Sequence, residues 1–218
     1  MDNLAIIIQG PSNYVNQIKN SFIGYDLIFS TWSGSQSKYE ITDVVIYNEL
    51  PIYSGPSNMN LQKITTINGL LKAKELGYSK ALKIRSDLIP NNINEFIKLL
   101  NNDKLNFLSW HYHEVYDNCP GYLIDYLMSG YIDDLIDLWD INDMSSCNVP
   151  EIILTQRYIS KLMDKVDINY FLDGLSVNND LFWLKNGISL KSYQVNNTYD
   201  KYRKFEFGLN NEYIKFLK

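Results

Sequence analysis

Cysteine is scarce in this chain. Cys119 and Cys147 are the only two among 218 residues, and neither stands in a CxxC or a mixed Cys/His spacing of the kind that holds zinc. Two free thiols in a reducing compartment are the expectation, with a single disulfide as the alternative. Long apolar runs are lacking as well. The run Leu4–Ile8 follows the acidic start Met1-Asp2-Asn3 and is too short for a secretion signal, and no run approaches the ~20 residues of a membrane span. A cytoplasmic location with no transmembrane segment is expected. Positive charge is not in excess: 20 Lys and Arg against 25 Asp and Glu leave a net charge of −5. Without a basic stripe through the body of the chain, nucleic acid is not an expected partner. A dinucleotide fingerprint needs several closely spaced glycines, and the first strand-to-helix turn offers only Gly10. Internal repeats and low-complexity tracts are missing too.

What is present is ordinary for a folded domain. Apolar residues make up 45% and charged residues 21%, in a length that fits one domain over residues 1–218 with a full core. Aromatic residues reach 14%, with 17 Tyr. That proportion suits stacking on sugars or bases, although the accompanying richness in Asn, Ile and Lys also fits an AT-rich genome.

The segment Lys80–Asp87, read Lys-Ala-Leu-Lys-Ile-Arg-Ser-Asp, organises the rest. It is a short apolar run that ends in a cation, a hydroxyl and a carboxylate, as a central strand of an α/β sheet does where it reaches a ligand crevice. Extended, it places Lys83, Arg85 and Asp87 on one face and Leu82, Ile84 and Ser86 on the other. A charged row in a sheet is costly unless the charges pair or meet a ligand. A polyanion with its metal and an internal Arg85–Asp87 salt link explain the row equally well. Upstream, Asn60–Leu76 keeps helical spacing and is closed by Gly77, so helix and strand read as one crossover unit. Asn60 is placed to cap that helix, and Asn60 and Gln62 sit where a helix N-terminus can meet phosphate.

Leu4–Gln9 reads as a buried first strand, with Gly10 allowing close backbone approach to a ligand. Leu27–Ser30 is the second strand, and Trp32 just beyond it either stacks on a base or sugar or packs at the strand end. Asp43–Tyr47 is a third strand. The loop Pro51–Asn58 reads as a substrate flap or as a plain polar loop. Pro90 is expected to break the chain after Asp87, ahead of a short helix at Asn94–Leu100 and strands at Leu105–Trp110 and Leu123–Leu127. His111 and His113 form a possible metal pair that lacks a third ligand at a supporting spacing. From Tyr131 the pattern turns helical, with Asp133, Asp137 and Asp140 on the outer side. Of these, only Asp133 is close enough to a strand end to attract a functional role, and Asp125 within the preceding strand calls for a crevice. Glu151 opens the helix Pro150–Met163. The helix dipole explains it structurally, yet a carboxylate there is also where a general base could sit. The tail Asn196–Lys218 mixes aromatic and basic residues and reads as an appendage that packs on the domain or touches a membrane surface.

Taken in order, Ile7-Ile8-Gln9-Gly10-Pro11, Phe29-Ser30-Thr31-Trp32, Asn60-Leu61-Gln62 with Gly69-Leu70, and Leu82-Lys83-Ile84-Arg85-Ser86-Asp87 resemble the WavE lipopolysaccharide-synthesis family of glycosyltransferases. The resemblance covers about the first hundred residues and fades in the last fifty. It implies a single α/β domain with a mostly parallel central sheet flanked by helices, of the GT-A-like, nucleotide-diphospho-sugar transferase kind. It also implies transfer of a sugar from a nucleotide-sugar donor to a glycan or lipid-linked glycan; contact of the tail with a membrane would put that transfer at the membrane's inner face. Arg85-Ser86-Asp87 then takes the place of an Asp-x-Asp motif. Asp87 would hold a divalent cation (Mn or Mg) or the donor ribose, while Gln9, Gly10 and Trp32 would hold the nucleotide and Lys83, Arg85 and Ser86 the diphosphate region. Arg85 at the first acidic position departs from the pattern, and fixed cations are the alternative to the metal. Glu151, Asp133 and Asp125 are the candidate bases. A catalytically inactive nucleotide- or sugar-binding module and a nucleotidyltransferase are the rival readings.

Overall fold

Strands buried on both faces read as continuous apolar runs, and such runs form the middle of this molecule. The computed structural model describes residues 3–12, 15–34, 44–90, 94, 97–98, 100, 103–107, 110–111, 122–123, 125, 127–141, 150–162, 164–166, 168–170, 181–185 and 188–191. Strand β1 (Leu4–Gln9) leads through helix α1 (Val15–Ser21) to β2 (Leu27–Trp32) and β3 (Val44–Asn48). Helix α2 (Met59–Glu75) then carries the chain back to β4 (Lys80–Arg85). The short strands β5 (Leu88–Pro90), β6 (Leu105–Phe107), β7 (Trp110–His111) and β8 (Tyr122–Leu123) follow. Next come β9 (Leu127–Tyr131), α3 (Ile132–Trp139), α4 (Pro150–Arg157) with a π-helical turn at Tyr158–Leu162, β10 (Ile168–Tyr170), β11 (Leu181–Lys185) and β12 (Ile188–Lys191).

The central sheet has seven strands in the order β10-β6-β9-β4-β1-β2-β3. Only β9 runs against the others, paired antiparallel to β4 on one side and β6 on the other. The sheet is therefore mixed but mostly parallel, as the sequence implied. Chain order runs outward from β1 through β2 to β3, and α2 then returns to place β4 on the other side of β1. The order thus reverses between β1 and β4, the place where open α/β sheets hold ligands beyond the strands' carboxyl ends.

Side-chain alternation sorts the core into two layers. Ile6, Ile8, Leu82 and Ile84 pack against Val15 and Ile18 of α1 and Phe22 just past its end. Ala5, Ile7, Ala81 and Met128 face Leu70 and Ala73 of α2, Leu135 and Trp139 of α3 and Leu154 of α4. Helix α2 ends as its sequence foretold. Gly77 takes φ +89, its N–H bonds to Lys74 O at 3.0 Å and that of Tyr78 to Ala73 O at 3.0 Å, a Schellman closure.

Several boundaries differ from the expectation. The stretch read as one strand, Leu123–Leu127, is divided between β8 and β9. Ser129 and Gly130, past the expected strand end, lie inside β9, where Ser129 Oγ accepts from Asn106 Nδ2 at 3.0 Å. A Cβ at Gly130 would stand 2.8 Å from Leu105 Cδ2, so glycine admits the neighbouring strand. Pro90 does not break the chain but sits in β5, opposite Leu181. β5 is the edge of a small β12-β11-β5 sheet, the position in a sheet that tolerates proline. Asn60 does not cap α2. The 3-10 turn Pro56–Asn58 feeds into the helix one residue earlier, leaving the Asn60 N–H bonded to Ser54 O and its Nδ2 to Tyr53 O at 2.9 Å. The tail Asn196–Lys218 and His113 lie outside the described residues.

Gly69 of α2 is where helix and sheet come closest: a Cβ there would stand 2.5 Å from Ile7 Cγ2. Gly69→Ala gains about 1 kcal/mol of helix propensity but overpacks a buried β-branched side chain, at a cost of about 1–3 kcal/mol. The expected net result is a lower urea midpoint than wild type. An unchanged or higher midpoint contradicts this account of the interface.

Candidate functional site

At the carboxyl end of β1 the chain must turn while lying flat against its neighbours. Gly10 meets that demand with φ +121, its N–H bonding to Ser30 O at 3.1 Å while Gln9 O accepts the Ser86 N–H at 2.8 Å. A Cβ at Gly10 would stand 2.8 Å from Ser86 Oγ, which would have to turn away, and the positive φ strains any residue that carries a side chain. Gln9, Gly10 and Ser86 are thereby brought together at the switch point.

Arg85 is the last residue of β4 and stands opposite Gln9. Its Nε and an Nη donate to the two oxygens of Asp87 at 2.9 and 2.7 Å, a bidentate pair across the turn. The side chains keep 27% and 30% of their surface exposed, so the pair borders solvent rather than being sealed off. Two residues earlier on the same face, Lys83 is fully buried. Its ammonium donates to the carbonyl oxygen of Asp125 and lies 4.9 Å from the centroid of the Trp139 ring. Trp139 is held in turn by Nε1 donating to Met128 Sδ at 3.0 Å, and Met128 is the residue paired with Lys83 across the β4–β9 ladder. Lys83 lies too deep to reach a diphosphate at the crevice, a correction to its expected role.

Asp125 enters from the turn before β9. It is wholly buried, and neither carboxylate oxygen has a hydrogen-bond partner. Glu151, second residue of α4, completes the group. Burial, and then the like charge of Asp125, push its carboxyl up to about 7, against the pull of Arg85 and Lys83. Burial lowers the Lys83 ammonium to about 8, with the Asp125 carboxylate opposing that shift and the Arg85 cation adding to it. The arrangement supplies a guanidinium fork at the rim, a carboxyl that exchanges its proton near neutrality, and buried acceptors without donors.

The other candidates stand apart. Asp133 lies at the opposite edge of the sheet, because β9 runs antiparallel and delivers its end to the start of β4, Tyr131 facing Lys80. It is 74% exposed and paired with Lys74 at 2.5 Å, so its expected place near the crevice is corrected. Trp32 is only 8% exposed and packs rather than offering an open ring face. The loop expected to act as a flap is tied to the start of α2 through the bonds of Asn60. Asp87 spends both oxygens on Arg85, and among the described residues no group of three or more His, Cys, Asp or Glu is arranged to hold a metal. This donor set does not fit a dedicated divalent cation site. Two residues escaped the sequence reading: Trp139 at the end of α3, and Thr66, a polar residue inside the buried stripe of α2.

Fold and site together define an α/β domain with a group of polar and charged residues at its switch point. No family model matches the chain, and no curated protein matches it. No helix among the described residues is long and apolar enough to cross a membrane.

The raised Glu151 carboxyl links stability to pH. Between its ordinary 4.5 and about 7 the folded state keeps a proton that the unfolded chain releases, so stability falls as pH rises through that window. Urea midpoints measured across it should decline for wild type and decline less for Glu151→Gln. Equal slopes for the two proteins contradict the assignment.

Proposed function

We propose that this chain is a GT-A-like glycosyltransferase that moves a sugar from a nucleotide-sugar donor to a hydroxyl of a surface glycan or its lipid-linked precursor, working on the cytoplasmic side of a membrane. The observation that carries the reading is the meeting of Arg85, Gln9–Gly10 and the near-neutral Glu151 carboxyl at one switch point. Gln9 and Gly10 border the nucleotide. Arg85, oriented by Asp87, takes up the charge that develops on the departing diphosphate. Glu151 accepts the proton as the acceptor oxygen forms its bond to the anomeric carbon. The bond from that carbon to the phosphate oxygen breaks in the same step, and its electron pair leaves with the nucleoside diphosphate. Lys83 and Trp139 act behind this layer, keeping Asp125 in place. No step is assigned to a metal, since the Asp87 carboxylate is already engaged by Arg85.

That same engagement favours one rival, an inactive binding module on the same scaffold, because a cation stands where paired carboxylates are the rule. Donor hydrolysis across a panel of nucleotide sugars, with Mn²⁺ or with EDTA, separates the two. For an enzyme, Arg85→Ala is expected to slow turnover by roughly 10²–10³-fold and Glu151→Gln by roughly 10²–10⁴-fold with donor affinity kept. Turnover is also expected to persist in EDTA. Binding of a donor with no turnover under any condition favours the module, and turnover abolished by EDTA would return Asp87 to the role of metal ligand.

A further inference from the structure

The connection from β3 to α2 leaves apolar side chains in water. Ile52 is fully exposed, Leu50 and Tyr53 keep 62% and 61% of their surface in solvent, and Tyr47, near the end of β3, is exposed as well. From Leu50 to Gln62 the sequence carries no Asp, Glu, Lys or Arg. Single exposed hydrophobes are ordinary, whereas three within four consecutive residues, with no charge among them, mark a surface that something covers.

The segment is also held in place. At its start the buried Asn48 donates from Nδ2 to Ser30 Oγ at 3.0 Å and to Thr31 O at 2.7 Å, and its Oδ1 accepts from Asn68 Nδ2 at 2.6 Å. Beside it, Glu49 Oε1 accepts from Ser33 Oγ at 2.7 Å. Further on, Asn60 bonds to the carbonyls of Tyr53 and Ser54. A loop strapped at both ends presents its apolar side chains already ordered, so burying them forfeits little further conformational freedom. Because β3 runs parallel to β2 and β1, the loop stands at the carboxyl end of the sheet, the end that carries Gly10 and Arg85. At the usual strand spacing it lies about 10 Å along the sheet from β1.

We infer that Leu50, Ile52 and Tyr53 dip into the interfacial layer of a lipid bilayer and hold the carboxyl end of the sheet against it. Two arguments favour lipid over a protein partner. A stable protein interface takes ~800 Å² from each side, whereas these three side chains supply on the order of 400 Å². Two aliphatic residues beside a tyrosine also match the boundary between headgroups and acyl chains, where an aromatic ring with a polar tip is at home. With no Lys or Arg in the segment, its insertion is hydrophobic in origin and needs neither anionic lipid nor low salt. That separates it from the tail Asn196–Lys218, whose basic residues would need both. What the insertion serves rests on the glycosyltransferase reading: an acceptor carried on a lipid lies in that same surface.

Co-sedimentation of the full chain with phosphatidylcholine vesicles tests this, beside vesicles that also contain phosphatidylserine, each at low and high salt. The protein is expected to partition onto the neutral vesicles equally at both salt concentrations. Ile52→Ser and Leu50→Ser, at positions already in water and therefore harmless to folding, should each weaken partitioning roughly tenfold, and Ile52→Trp should strengthen it. No binding to phosphatidylcholine, binding that requires phosphatidylserine and is lost in salt, or equal partitioning of wild type and Ile52→Ser overturns the inference. So does self-association that Ile52→Ser removes while no vesicle is bound, which would assign the patch to a second copy of the chain. Failure of the transferase reading looks different: vesicle binding persists, with its dependence on Ile52, but no nucleotide sugar is turned over.

Discussion

A lysine buried without exposure in the middle of a seven-stranded sheet is the constraint around which this molecule is arranged. An isolated ammonium in such a place costs several kcal/mol, enough to consume much of a domain's stability. Lys83 is tolerated because a carbonyl, an indole face and nearby carboxylates meet it. Each of those partners fixes something else. The carbonyl holds the turn ahead of β9 and so the position of Asp125, while the indole belongs to Trp139, the last residue of α3. The carboxylates include Glu151, which ties α4 to the same spot.

The electrostatics then follow a gradient from floor to rim. At depth, burial raises the Glu151 carboxyl to about 7 and lowers the Lys83 ammonium to about 8, so both move towards neutrality. At the rim, Arg85 and Asp87 remain partly solvated and form an ordinary bidentate pair whose net worth is small. The rim pair can be rearranged by an incoming anion at little cost. The floor cannot, and this contrast makes the rim suited to charge recognition and the floor to proton handling and shape.

Much of this frame was legible from the residues. β1, α2 and β4 were read nearly to their ends, because continuous apolar runs, helical spacing and a C-terminal glycine are local signals. The Arg85–Asp87 salt link was one of two explanations weighed for the charged row, and it is the one observed. What escaped depends on long-range pairing. The direction of β9 is set by its neighbours β4 and β6, not by its own five residues, and that direction sends Asp133 to one edge and Asp125 to the other. Glu151 and Asp125 meet only because α4 folds back over the sheet. Asn60 was misjudged for a more local reason: the 3-10 turn ahead of α2 already supplies the helix start, so its amide is spent on the preceding loop.

The central claim is that ligand chemistry belongs to the crevice between the carboxyl ends of β1 and β4. Backbone amide shifts of the labelled protein, titrated with nucleoside diphosphate sugars, test it most directly. The account predicts perturbations gathered at Gly10, Ser86, Asp87 and Glu151, with Lys74, Tyr131 and Asp133 at the far edge unmoved. A response centred on that far edge, or no response to any nucleotide sugar, would contradict it.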